Sequence, residues 1–372
     1  MKNLSHYIHN STLGIDLLSK KSGVAKKRLI ELIEGFEAAY NELSAISNVL
    51  NLPISFLLKE YKQENQYEVL FRKQYGAAAD VSVVSNFDFF VNNVLELQPD
   101  ASKVEKFSAI VKHVENTFVN ADALASFFRD VYFDGNHFDP LTSLPELLSN
   151  KLNFIVKVKE LGPNADGASA SIKDYVFLIV SPRFEGRMLF TLAHELAHVL
   201  NHHEQGDYVY FDKKISLRPK DDKFKIEGFA NAFASCLLLP EKGVAKFIQK
   251  VRDSFHIDPQ ARLSDVEIVH LARFYGVSFD VAAFRCETLS LLPKGGAYTL
   301  SQKIKEDFGS PEKRADSLGV APRDPLYFPA APNFVLDKAV SLIEEEKYSI
   351  GKIADLLSIP VNAILDHHSK IG

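Results

Sequence analysis

Apolar residues recur at helical spacing along most of this chain and at strand spacing in one region only. From Leu13 to about Tyr61, short amphipathic segments are separated by turn residues at Ser22-Gly23, Gly35 and Asn51 to Pro53, which predicts a compact all-helical unit. Residues 63–118 are predicted mostly helical, ending in a helix with Val104, Phe107, Ile110, Val111 and Val114 on one face. A helix from Ala121 to Val131 leads into the loop "FDGNHFDPLTS", after which Pro145 opens a short helix as a first-turn proline. Strand signals are confined to "NFIVKVKEL", "ASASI" and "YVFLIVS", with Lys173-Asp174 as the hairpin turn between the last two. One helix then starts near Arg187, and a second, "EGFANAFASCLLL", stops before Pro240. Helices continue to about Leu292. "LLPKGGAY" and "GVAPRDPLYFPAAP" read as loops bracketing a weakly structured stretch, and the tail from Asn333 is helical again. The fold class is therefore α+β and mainly helical, with a small sheet.

Composition narrows this further. The 372 residues, 46% hydrophobic and 24% charged, are those of a globular protein with room for several domains. A net charge of −5 excludes a wholly basic nucleic-acid coat and leaves space for one locally basic module. Cys236 and Cys286, the two cysteines, both lie in apolar or helical runs, so a disulfide framework is not expected and a reducing compartment fits. The N-terminus lacks the apolar core of a signal peptide, and the longest apolar runs fall well short of the ~20 residues a membrane helix needs. A cytoplasmic protein without membrane contact is expected.

The chemistry concentrates at "TLAHELAHVLNHH", where four histidines and one glutamate fall within Thr191 to His203. His194 and His198, spaced i and i+4, project from one helix face and can share a tetrahedral zinc. Glu195, on the neighbouring face, can orient a water and accept its proton. Leu189, Leu192, Ala193, Leu196, Ala197 and Leu200 are apolar or small and let the rest of the helix bury itself. Chance alone places such a motif in roughly a few per cent of sequences this rich in histidine, so a third ligand has to decide. Glu227, on the following helix, supplies a carboxylate that completes a two-histidine, one-glutamate set and leaves a fourth position for water. The bland alternative for Glu227 is a solvated acid at a helix N-terminus. Asn231, one turn later, could hydrogen-bond a ligand histidine's other ring nitrogen and fix its tautomer. His202 and His203 follow the helix and read as surface or supporting groups.

"FTLAHELAHVL" followed by "EGFANAFASCLLLP", with a hairpin before them, resembles the ImmA/IrrE family of zinc metallopeptidases over about residues 120 to 292. The resemblance implies a zincin-like peptidase domain, often acting on a helix-turn-helix repressor. It implies His194, His198 and Glu227 as zinc ligands, with manganese an alternative in the cell, and Glu195 as the catalytic acid and base. Gly228-Phe229 departs from the polar pair often found there and leaves the ligand positions intact.

"LLSKKSGVAKKRLIELIEG" is similar to a Cro/repressor-type (XRE) helix-turn-helix, whose second helix places its first residues in the major groove. Lys26, Lys27 and Arg28 open that helix and, with Lys20 and Lys21, form a basic patch suited to phosphates. Glu31, Glu34 and Glu37 keep a protein-interaction module open as the alternative. The tail repeats the pattern weakly with few cations, and reads as a packing or oligomerisation module compatible with a homodimer. Four segments result: a helix-turn-helix unit at 1–62, a helical connector at 63–118, a metallopeptidase domain at 119–292 and a helical module at 293–372. The expected function is a zinc endopeptidase coupled to a DNA-binding module and acting on a repressor or other regulatory protein. The alternative is a transcription regulator whose metal domain senses or binds and cuts nothing. For the peptidase, the hairpin before the metal helix is expected to offer an edge strand to an extended substrate. Tyr208, Tyr210 and His203 are candidates to steady the oxyanion.

Overall fold

The computed structural model describes residues 2–9, 11, 14–50, 52, 54–60, 81–105, 113–161, 165–203, 208–213 and 224–371. Five helices form an N-terminal bundle: α1 (Asn3–His9), α2 (Gly14–Ser22), α3 (Lys26–Ile33), α4 (Tyr40–Leu50) and α5 (Ile54–Leu57). Leu18, Leu29, Leu32, Ile46 and Leu57 meet in its core, as the amphipathic spacing requires. The turn between α2 and α3 needs Gly23, at φ +72°, and is stapled by Ser19 Oγ donating to the Val24 carbonyl at 2.7 Å. The helix α1 was not expected. Two of its buried polar residues bond within the bundle, Asn3 Nδ2 donating to the Phe56 carbonyl and Ser5 Oγ to that of Leu32.

The helix α6 (Val81–Leu97) links the bundle to the rest: Phe89 meets Phe56 edge-on at 5.0 Å and Phe90 meets Phe177 at 6.4 Å. The boundary expected at 62/63 lies outside the described residues. So do Phe107, Ile110 and Val111 of the helix expected to run through Val114. Its two ends are not helical. Val104 is extended, at φ −74° and ψ 131°, after a single turn over Ala101–Lys103. Val114 gives both of its backbone polar groups to the side chain of Asn201, which removes them from any helical ladder.

After α7 (Phe118–Tyr132) and a short helix begun at Leu144–Glu146, the chain enters a four-stranded sheet. Its strands are β1 (Ile155–Val158), β2 (Ala165–Ile172), β3 (Tyr175–Val180) and β4 (Tyr208–Lys213), in the order β1-β3-β2-β4. β1 runs parallel to β3, and the other two pairings are antiparallel. Lys173 and Asp174 turn the β2–β3 hairpin with φ 47° and 69°, as a tight hairpin demands. The hairpin offers no edge, because β4, unexpected from the sequence, pairs along β2 from Ser171 to Ala165. Among the described residues the edge strands are β1 and β4.

The sheet has two covered faces. Tyr175 and Phe177 project towards Phe334 and Phe90 on one side. On the other side lies α8 (Glu185–Asn201), followed in sequence by α9 (Phe224–Leu238), α10 (Glu241–Phe255), α11 (Asp265–Phe274) and α12 (Phe279–Thr288). The stretch expected to be weakly structured is helical, as α13 (Gly296–Phe308) and α14 (Pro311–Ser317), the latter capped by Ser310 and opened by Pro311. The tail forms α15 (Asn333–Glu344), α16 (Ile350–Leu357) and α17 (Val361–Ile371). Asn93 Nδ2 of α6 donates to the Leu356 carbonyl of α16 at 3.0 Å. One apolar core runs from Phe87 to Ile364, so residues 293–372 share a core with residues 119–292. Cys236 and Cys286 are free and buried. Among the described residues no helix is long and apolar enough to cross a membrane.

Candidate metal centre

The helix α8 begins at Glu185, two residues ahead of the expected start, and its Leu and Ala positions are buried. It is pinned to β2 at both ends. Arg187 Nη2 donates to Asp166 Oδ2 at 2.5 Å, with Arg183 Nε 3.6 Å from the other oxygen. Past the C-terminus, His203 Nδ1 lies 2.6 Å from Ser171 Oγ and its Nε2 3.2 Å from Ser169 Oγ. Between these anchors, Glu195 lies against Gly167, where any side chain would strike its Oε1.

His194 and His198 are fully buried, and their Nε2 atoms face each other at 3.0 Å. Glu227 Oε2 approaches His194 Nε2 to 3.4 Å, and one donor atom from each of the three residues lies within 4.8 Å of the others. Glu227 stands in the first turn of α9, whose opposite end is gripped by two buried guanidinium groups. Arg129 Nε donates to the Leu237 carbonyl at 2.7 Å and Arg285 Nε to that of Leu239 at 2.9 Å. Cations at a helix C-terminus are favoured by the macrodipole, and here they fix the helix that carries the carboxylate.

The donor set suits a metal ion. His194 Nδ1 is 3.0 Å from Asn231 Oδ1, an acceptor that places the proton there and leaves Nε2 with a bare lone pair. Two imidazole nitrogens and a carboxylate then converge in a largely buried pocket. Burial pushes the Glu227 carboxyl up, but the closeness of His194 and His198 outweighs it and holds the group below its ordinary value. The 3.0 Å between the ring nitrogens is close to the ~3.3 Å that two bonds of about 2.0–2.1 Å subtend in a tetrahedron.

The other sequence candidates fall in distinct places. His202 meets His198 Nδ1 through its own Nδ1 at 2.8 Å and packs edge-on against Phe229 at 5.4 Å. His203 is buried, and burial followed by the charges of neighbouring histidines pushes its pKa well below the ordinary value. Both its ring nitrogens meet serine hydroxyls, so it anchors α8 and is not presented to a substrate. Tyr208 and Tyr210 stand opposite Ser171 and Ser169 in the backbone register of β4, and their side chains lie outside what the structure describes. Lys26, Lys27 and Arg28 belong to the N-terminal bundle and are not brought to this site. Arg28 is bound to Glu42 Oε1 at 2.8 Å, Glu31 Oε2 at 3.0 Å and the Glu37 carbonyl at 2.7 Å, so it joins α3 to α4. The hydrogen bonds it donates to Glu42 and Glu31 raise its pKa further. Lys26 pairs with Asp16 at 2.6 Å in the open.

Sequence reasoning missed Gly167, Asn201, Asn116 and Arg129. None carries a local signature, because each acts across the fold. A cleft of about 570 Å³ opens beside α8, lined among others by Arg187, Phe190, Thr191, Phe284, Tyr298 and Lys305.

Residues 162–287, about a third of the chain, match the family Peptidase_M78, described as the IrrE N-terminal-like domain. The matched segment contains the whole three-residue donor group, and it supports a metallopeptidase-like function with a bound metal ion. None of the curated proteins compared with the chain matches it.

Proposed function

We propose that this protein is a metal-dependent endopeptidase that cuts a regulatory protein, with a helix-turn-helix repressor as the substrate class. The observation that carries the reading is Glu195, fully buried beside the donor group and given its place by Gly167. A site that only sensed or stored a metal would need the three ligands and no base beside them. His194, His198 and Glu227 would hold zinc, or manganese in the cell, and the bound ion supplies Lewis acidity that polarises the scissile carbonyl and acidifies water.

The chain's own residues do the rest. Glu195 takes the proton of the attacking water as the carbon–oxygen bond forms. It hands that proton to the amine nitrogen as the carbon–nitrogen bond breaks. Its burial keeps competing water away and strengthens its interaction with nearby charge. An extended substrate pairs with the outer edge of β4, the edge strand among the described residues, which takes the part expected of the hairpin, through main-chain hydrogen bonds. The cleft at Phe190 and Thr191 receives a neighbouring substrate side chain.

The N-terminal bundle is proposed to bring this site to DNA or to a DNA-bound repressor. The arrangement of α2, the turn at Gly23 and α3 supports that role, with Lys26 and Lys27 at the exposed start of α3 as phosphate contacts. The exposed pair of Lys26 with Asp16 is worth little and yields readily to a phosphate. Arg28, committed to Glu42 and Glu31, contributes by holding α3 in place.

The test is incubation of the zinc-loaded and manganese-loaded protein with a repressor encoded beside it. Two fragments that appear with metal and vanish with chelator support the reading. Metal binding with no cleavage of any such repressor supports a non-proteolytic sensor instead.

A further inference from the structure

Asn201, the last residue of α8, is held by the backbone of Val114 through two hydrogen bonds. The Val114 N–H donates to Asn201 Oδ1 at 2.7 Å, and Asn201 Nδ2 donates to the Val114 carbonyl at 3.1 Å. A backbone N–H can only donate and a carbonyl can only accept, so the amide of Asn201 has one orientation. Its Nδ2 also donates to Asn116 Oδ1 at 3.0 Å, which identifies that atom as the acceptor end of Asn116. The same oxygen lies 2.9 Å from His202 Nε2, so Nε2 must carry the proton. The Nδ1 of a neutral His202 is then bare and accepts from His198 Nδ1–H across 2.8 Å. That leaves His198 Nε2 bare as well, facing His194 Nε2.

We infer that His202 is a positioning residue that, through Asn116, Asn201 and the Val114 backbone, fixes the metal-binding tautomer of His198. The inference rests on the metal reading of the site. Without an acceptor at His202, His198 is free to carry its proton on Nε2, a form that cannot ligate and aims a hydrogen at the metal position. The segment from His113 to Asn116 thus acts as a strap across the end of α8, with His113 Nδ1 also 2.6 Å from the Asn201 carbonyl. It connects ligand chemistry on α8 to a stretch of chain more than 80 residues earlier in sequence.

The experiment is zinc competition against a chromophoric chelator on the full chain, with the thermal midpoint of each metal-free variant recorded alongside. His202→Phe keeps a ring against Phe229 and removes the acceptor. His202→Gln returns an amide oxygen, and Asn116→Leu cuts the relay one step farther out. The expected results are a zinc affinity about 10–100-fold weaker for His202→Phe and for Asn116→Leu, and His202→Gln within about threefold of wild type. The metal-free midpoints should stay together, since the relay acts on a proton position and not on the core. Should His202→Phe prove unstable, Asn116→Leu carries the test alone. Wild-type affinity in Asn116→Leu or His202→Phe would overturn the relay, as would equal weakening by Gln and Phe at 202. If the wild-type protein binds no zinc, the metal reading fails and the relay falls with it.

Discussion

Gly167 on β2 lies against the Glu195 carboxylate so closely that a Cβ would strike Oε1 and come within 2.7 Å of Thr191 Cγ2. The backbone at Gly167 has no unusual φ, so the requirement is one of space. Gly167→Ala should therefore push Glu195 and leave the three donor residues where they are. Overpacking of this kind costs about 1–3 kcal/mol of stability, and a base displaced by an ångström loses on the order of 100-fold in turnover. Metal analysis and single-turnover cleavage check this together. Full metal content with sharply reduced cleavage is the expected outcome, and wild-type cleavage would show that Glu195 does not depend on this contact.

Arg129 ties three carbonyls, those of Leu237, Asn136 and Asp139, to the end of α9 opposite Glu227. Arg129→Leu strands them. The Leu237 carbonyl, the buried one of the three, costs about 1–3 kcal/mol when left without a donor, so the urea midpoint should fall clearly. Because α9 carries Glu227, zinc affinity should fall with it. An unchanged midpoint would mean that water replaces the guanidinium at no cost.

The buried neutral His203 gives a pH dependence with a defined sign. Burial and neighbouring histidine charges hold its folded-state pKa well below the ordinary value. Below about pH 6.5 the unfolded chain binds a proton at His203 that the folded chain refuses, so stability falls on acidification and is level above that pH as far as this group is concerned. Thermal midpoints of metal-free protein between pH 7.5 and 5 should drop more steeply for wild type than for His203→Gln. Parallel curves would contradict the assignment.

What the sequence made legible was what is local. His194, Glu195 and His198 share one helix, and the i, i+4 spacing alone places the two imidazoles on one side of it. Glu227 needed a second helix and a chemical reason, which the donor count supplied. Gly167 could not be read, because its role is an absence of atoms opposite a glutamate 28 positions later. Asn116 and Asn201 look like any loop and helix-end asparagines until the fold joins them. The helix expected through Val114 was plausible by periodicity, but the side chain of Asn201 takes the backbone groups that a helix would use. The strand β4 was overlooked because it follows α8 and pairs back with β2. Arg28 looked like part of a basic patch, yet Glu42, fourteen residues away, neutralises it.

The central claim is that Glu195 is the base of a peptide hydrolysis carried out beside His194, His198 and Glu227. Its most direct test is Glu195→Gln, compared with wild type at equal metal loading on one repressor substrate. The substitution keeps the side chain's size against Gly167 and all three donor residues, and removes only the capacity to take a proton. The account predicts unchanged metal content and substrate binding, with cleavage slower by about 10²–10⁴-fold. A Gln variant that binds metal and cuts as fast as wild type would contradict it.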